Sequence, residues 1–335
     1  MKQLLKLSAA SLLVVGALSV QASTLSDVQA KGHVSCGVSK GLAGFSSADS
    51  SGTWTGVDVD VCRAVAAATL GDAQKVKFVP LTAKERFTAL QSGEIDMLSR
   101  NTTWTITRDA SLGLNFAGVN YYDGQGFMVK SSLGVSSAME LSGAAICIQA
   151  GTTTELNLAD WGKANGIEYN SVVSDTNAQT LTNYDAGRCD VLTTDASGLY
   201  SMRAAANDPS EHVVLPEIIS KEPLGPVVRQ GDDQWFNIVR WSLNAMITAE
   251  ELGVTSATVD DVSNNPERER LMGRSGSTHE YVGLTPDWTY QIVKQVGNYS
   301  ESFERNIGIN TPIGIARGVN ALWTDGGILY SPPFR

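Results

Sequence analysis

Along residues 82–101 the apolar positions change period. Thr82-Ala83-Lys84-Glu85 is a Thr-x-x-Glu capping box, which satisfies free amides at a helix start. Apolar residues then recur at helical spacing, and Gly93 sits where a helix needs a left-handed residue to stop. A short apolar strand follows and ends in polar residues up to Asn101. The same pattern returns from Thr176 to Asp195 at a constant offset of 94, without a gap. Thr82/Thr176, Thr88/Thr182, Gly93/Gly187, Asp96/Asp190 and Leu98/Leu192 are identical. Helix, buried strand and polar tip form a unit common to α/β proteins. The gapless offset supports a stronger expectation, namely two related lobes. Each would offer the carboxyl end of a strand to a shared cleft, where open α/β sheets bind ligands.

The rest of the pattern fits an α/β chain. Strands are predicted at 34–38, 75–79, 121–129, 144–149, 168–173, 213–219 and 224–229. Helices are predicted at 60–70, from Thr107, from a Thr152-Thr153-Thr154-Glu155 capping box, at 196–206 and, long and amphipathic, at 234–252. Residues 39–56 read as a glycine- and serine-rich loop, and 254–335 as short helices and loops. The free amides expected at the helix after Thr152 favour an anion.

The chain's start changes the picture. Lys2 and Lys6 precede an apolar, small-residue stretch that ends in Val20-Gln21-Ala22, the pattern of a signal peptide cleaved after Ala22. That stretch is too short to prefer a membrane span. No cysteine lies near the cleavage point to carry a lipid, so a periplasmic location is expected. The net charge of −10, made more negative by loss of the two lysines, argues against a nucleic-acid partner. Cys36, Cys62, Cys147 and Cys189 remain, an even set in an oxidising compartment. Of three possible pairings, Cys36–Cys62 and Cys147–Cys189 is favoured because each bridge then stays within one lobe. Metal ligation is the weakest reading, because there is no Cys-x-x-Cys or histidine cluster; no metal or cofactor is expected.

The series Gly37–Val61, Gly93–Arg108, Gly151-Thr152-Thr153 and Gly187–Asp195, taken in order, resembles the family 3 solute-binding proteins, periplasmic receptors of ABC amino-acid importers. It is most similar to the general L-amino-acid receptors, over roughly Lys31 to Gly253. The resemblance implies a type II two-lobed periplasmic binding fold with two hinge crossovers and a ligand cleft between the lobes. The first lobe would comprise 23–123 and 224–335, including a C-terminal extension, and the second lobe 124–223. It implies a monomer that takes free L-amino acids, with broad specificity, to an inner-membrane permease and its ATPase.

Carried over residue by residue, the resemblance has Arg108 clamp the ligand α-carboxylate, as a bidentate guanidinium would. Asn101, Thr103 and Thr153 would serve the head group, with Thr152 serving it or capping its helix. Asp195 would accept the α-ammonium, cap the helix at Ala196, or both. Ser39, Lys40, Leu42 and Arg86 stand where relatives meet the ligand side chain. Arg86 could equally lie in solvent. The aromatic that many relatives place just before Arg86 is absent, and the segment between Arg108 and Phe116 is longer than in short members. A lyase or dehydratase on the same fold is the enzymatic alternative. It would need a general acid or base in the cleft, and His33, His212 and His279 all lie outside the motif series. No catalytic residue is therefore assigned.

Overall fold

The computed structural model describes residues 23–335; the expected signal peptide lies outside the described residues. Helix α1 (Thr24–Lys31) leads into β1 (Val34–Ser39). A loop carrying the small ribbon β2 (Ser47–Ala48) and β3 (Trp54–Thr55) reaches α2 (Val57–Leu70) and β4 (Val76–Leu81). Then come α3 (Arg86–Gln91), β5 (Met97–Leu98) and β6 (Leu114–Phe116). β7 (Tyr121–Asp123) crosses to the second lobe. That lobe is built from β8 (Gln125–Lys130), β9 (Ala145–Gln149), α4 (Thr153–Asn165), β10 (Asn170–Ser174), α5 (Asn177–Asp185), β11 (Val191–Asp195), α6 (Ala196–Ala205) and β12 (His212–Val214). β13 (Glu222–Leu224) crosses back to β14 (Val227–Arg229) and α7 (Asp233–Glu251). The C-terminal helices are α8 (Pro266–Leu271), α9 (Thr278–Val282), α10 (Trp288–Val296) and α11 (Tyr299–Asn306).

The two lobes repeat one sheet plan. The first sheet has the order β4-β1-β5-β14-β6 and the second β10-β9-β11-β8-β12. In each, three parallel strands are joined by an antiparallel strand that follows a crossover. β7 and β13 pair with each other and form a two-stranded hinge ribbon between the lobes. The sequence repeat is a structural one. The Asp96 N–H donates to Ser35 O at 2.8 Å, and its carboxylate accepts from the Ser35 N–H. Asp190 makes the same two bonds with Ala145. In both copies an aspartate therefore clips the strand start to its neighbour, just after a glycine at φ 80° (Gly93) or 70° (Gly187).

Burial follows the period of each element. In the second lobe Phe127, Val129, Ile146, Ile148 and Val191 pack on one face of the sheet, and Met128, Cys147 and Leu192 on the other, as strand alternation requires. Helix α2 is buried nearly all round, because α7, α10 and α11 cover the side away from the sheet. The C-terminal extension thus completes the first lobe's core, with Trp288, Ile292, Val293, Phe303 and Phe334 inside it.

Several predicted boundaries change for local reasons. The strand expected over 121–129 breaks at Gly124 into the hinge strand β7 and the sheet strand β8. The strand expected over 224–229 breaks at Gly225-Pro226, which lack the side chain and the N–H of a regular strand, so β13 and β14 lie in different sheets. Of the strand expected over 213–219, only 213–214 lie in β12, which starts one residue earlier at His212. The helix expected from Thr107 is a π-helical turn, Thr107–Ser111. The Thr152 hydroxyl does not cap α4; it donates to Gln149 O at 2.8 Å, while Glu155 accepts from the Gly151 N–H.

Both disulfides join the expected partners, Cys36–Cys62 and Cys147–Cys189, one in each lobe. Cys36–Cys62 fastens β1 to α2 across a sequence separation of 26. Replacing both cysteines by alanine is expected to cost about 3 kcal/mol of stability through loop-closure entropy, with ligand affinity unchanged. Denaturant unfolding and calorimetry would check this. A loss of affinity at full folding would show that the bridge also shapes the cleft.

Candidate functional site

The carboxyl ends of β1, β5, β9 and β11 all face the space between the lobes, and each leads into a polar segment. After β5 the chain turns sharply. Asn101, at φ 33°, is the one non-glycine with positive φ among the described residues. Asparagine tolerates that region best, and such strain gathers at functional loops. The buried Asp58, at the start of α2, holds the turn. It accepts from the Asn101 N–H at 2.6 Å, Ser99 Oγ at 3.2 Å and Asn120 Nδ2 at 3.0 Å.

Three guanidiniums collect on the first lobe. Arg86, Arg100 and Arg108 are 2%, 2% and 8% exposed, so Arg86 is not a solvated surface residue. Arg108 Nη1 donates to Thr103 O at 2.9 Å. Arg86 Nη1 donates to Thr102 Oγ1 at 3.3 Å, and its Nε has no partner among the described residues. The Phe87 ring lies 4.8 Å from the Arg86 guanidinium carbon and 5.2 Å from that of Arg108. Burial and then the charges of Arg100 and Arg108 push the Arg86 pKa well down. Burial lowers that of Arg108, against which Glu222 and Asp195 act. Arginine does not give up its proton. The crowding is therefore an electrostatic cost that an anion in the cleft relieves.

Acidic groups lie opposite. Asp195 ends β11, is 7% exposed and stands at the start of α6 without capping it. Asp123 does that work, accepting from Ser197 Oγ and more distantly from its N–H. Burial first, then the Asp123 and Glu222 charges, raise the Asp195 carboxyl well above the ordinary carboxylate range; Arg86 and Arg108 pull the other way. Gln125 pairs with Asp195 across the β8–β11 ladder and is fully buried. Its Nε2 donates to Thr193 Oγ1 at 2.9 Å, and that hydroxyl donates onward to Gly126 O, which fixes the amide's orientation. Gln125 Oε1 is thus a buried acceptor with no partner among the described residues.

The lobes touch. Glu222 Oε2 accepts from Thr103 Oγ1 of the first lobe at 2.5 Å and from Thr153 Oγ1 of the second at 2.9 Å. Its Oε1 accepts from Asn157 Nδ2 at 2.6 Å and Ser220 Oγ at 2.8 Å. Further out, Lys84 Nζ meets Asp175 at 2.7 Å and Ser201 Oγ donates to Ala43 O at 2.8 Å. A Cβ on Gly151 would lie 2.9 Å from Lys84 Cγ, so this closeness requires glycine.

The structure brings Asn101, Thr103, Arg86, Arg108, Thr153 and Asp195 to one interlobe space. Thr103 and Thr153 spend their hydroxyls on Glu222, and Thr152 turns back to its own strand. Ser39 is buried with its N–H on Ser46 Oγ. Leu42 lies at the outer seam, in a groove shared with Leu181 and Met202. Trp104 stacks on Phe116, with centroids 5.5 Å apart. Reading the sequence missed Glu222, Asp123 and Gln125. An acid directly before Pro223 at the lobe boundary was the available signal.

Residues 34–258 match the model of bacterial extracellular solute-binding proteins, family 3. The chain belongs to this family. It is 61% identical over 330 residues to the general L-amino acid-binding periplasmic protein AapJ of Rhizobium johnstonii, covering 97% of each chain. It is 56% identical over 326 residues to the glutamate/glutamine/aspartate/asparagine-binding protein BztA of Rhodobacter capsulatus, covering 96% of each. A Brucella ovis periplasmic binding protein, solved with glutathione bound, superposes with a TM-score of 0.92 at 58% identity, covering 94% of this chain and all of that one. The lyase alternative finds no support among these relatives, which are named as binding proteins. Among the described residues of this solute-binding protein, no helix is long and apolar enough to cross a membrane.

A carboxyl whose pKa is higher folded than unfolded binds more protons when folded. Its charge therefore costs stability above both values, and the cost fades as pH falls. Asp195→Asn is expected to raise the melting temperature of the ligand-free protein at pH 8, and the gain should shrink toward pH 4. Equal melting curves at every pH would show that Asp195 is not under this electrostatic load.

Proposed function

We propose that the protein is a periplasmic receptor that binds free L-amino acids with broad specificity and delivers them to an inner-membrane ABC importer. The observation that carries this reading is the opposition of buried guanidiniums, with Arg108 at their edge, to buried Asp195 across the interlobe space. A zwitterion supplies the missing charge to each side at once. Its α-carboxylate would meet Arg108, with the amides at the start of α4 aiding it. Its α-ammonium would meet Asp195, with Gln125 Oε1 as a second acceptor. Only a ligand held by both lobes contacts both sets, so binding favours closure by differential contact. Arg86, with its free Nε, suits an acidic or amide ligand side chain.

The relatives support the substrate class. AapJ is named for general L-amino acids and BztA for two acidic amino acids and their amides. Glutathione belongs in the test panel because of the Brucella ovis structure. The same reading makes the protein a monomer that feeds a permease and its ATPase, with no catalytic step of its own.

Calorimetry with acidic, amide, basic and aliphatic L-amino acids and with glutathione, beside a turnover assay, tests the reading. Binding without turnover is expected; consumption of a ligand would favour the enzyme. Arg108→Ala is expected to cost about 3–5 kcal/mol, a hundredfold or more in affinity, by leaving a desolvated carboxylate unpaired. Unchanged affinity would remove Arg108 from the site. Asp195→Asn keeps the shape and removes the charge. It should weaken every α-amino acid by a similar factor and spare analogues that lack the ammonium. Binding should also weaken as pH falls, because the raised carboxyl must lose its proton to meet the ammonium.

A further inference from the structure

The hinge ribbon has an open edge. Tyr122 lies opposite Pro223 in the β7–β13 pair, and proline brings no N–H. The Tyr122 N–H and C=O both turn away from β13, to one side chain in the C-terminal extension. The Tyr122 N–H donates to Asn320 Oδ1 at 2.7 Å, and Asn320 Nδ2 donates to Tyr122 O at 3.0 Å. A primary amide used in this way replaces a missing strand, and Asn320 is only 3% exposed. Arg317 holds the turn in place, donating to Asn320 O and to Glu250. One helix earlier, Tyr299 Oη donates to Asn120 O at 2.7 Å.

Both contacts lead to the ligand loop. From Tyr122 the ladder passes to β13. There Thr103 bridges Leu224, Trp104 N–H donates to Pro223 O, and Gly225 N–H donates to Thr102 O. Thr103 O in turn receives Arg108. From Asn120, the side chain passes to Asp58, which holds the Asn101 N–H. The extension lies beyond residue 258, where the family match ends, so these contacts are an addition to the shared binding module.

We propose that the C-terminal extension braces the hinge, and that Asn320 is a positioning residue which sets the closure equilibrium and hence ligand affinity. The inference rests on the receptor reading for its affinity readout. Without the amide, two backbone groups at the hinge lose their partners in the closed arrangement and are better served by water when the lobes part.

The test compares wild type, Asn320→Ala and Tyr299→Phe, a milder change that removes only the hydroxyl. L-glutamate, L-glutamine and L-leucine are titrated by calorimetry, and ligand-free proteins are measured by small-angle scattering. For Asn320→Ala, all three affinities are expected to fall by a common factor of roughly three to ten, with faster dissociation and a larger ligand-free radius of gyration. Tyr299→Phe should shift both measures the same way by less. A lower melting temperature with unchanged affinities and radius would make Asn320 a tail anchor only and overturn the brace, as would a loss confined to one amino acid. If Asn320→Ala does not fold, unchanged values in Tyr299→Phe overturn it. If the wild type binds none of the three, the receptor reading fails, and the ligand-free radii still decide the brace.

Discussion

One buried carboxylate joins the parts that must move together. Glu222 lies on the returning hinge strand, 1% exposed, and takes donors from the first lobe, the second lobe and the hinge itself. A buried charge is tolerated only when its oxygens are satisfied. Thr103, Thr153, Asn157 and Ser220 meet that need together, and two of them, Thr153 and Asn157, reach across from the second lobe. Thr103 is tied to the same strand through its bridge to Leu224, so parting the lobes takes away Thr153 and Asn157, and the carboxylate must then find water in their place. Closure is therefore written into the hydrogen bonding of the hinge strand as well as into the cleft.

The cleft itself is left in electrostatic debt. Arg86, Arg100 and Arg108 crowd one wall, and Asp195 with Asp123 the other, each group held away from its ordinary titration by burial. Residues that only served the fold would be arranged to cancel. Here Arg86 Nε and Gln125 Oε1 remain without partners among the described residues. Such costs are characteristic of sites that trade stability for recognition.

Much of this was legible in the sequence, because the signals were local. The repeat at offset 94 was visible from capping residues, glycines and period, and it proved to be a pair of equivalent strand clips at Asp96 and Asp190. The disulfides followed from keeping each bridge within one lobe. What was missed is non-local. Nothing near Glu222 in sequence shows that Thr103 and Thr153 will converge on it from 119 and 69 residues away. The hinge strands were hidden because three-residue strands broken by Gly124 and by Gly225-Pro226 look like parts of longer ones. Asp195 read equally well as a helix cap, and only the position of Asp123 removes that alternative.

On the proposed reading of the cleft, the repeat also explains why one architecture can hold a zwitterion. The offset of 94 places Asn101 and Asp195 at matched positions of the repeat, but β5 stops at Leu98, so Asn101 lies in a turn past the strand while Asp195 ends β11. Had both tips kept the same chemistry, the cleft would present like charges and select a divalent partner or none. Instead the first copy ends in a strained, neutral asparagine beside arginines, and the second in a buried carboxyl beside Gln125 Oε1, which has no partner among the described residues. The backbone supplies symmetry and the tips break it. If these tips meet the ligand as proposed, a head group with one positive and one negative end has a single orientation that satisfies both lobes, whatever side chain it carries.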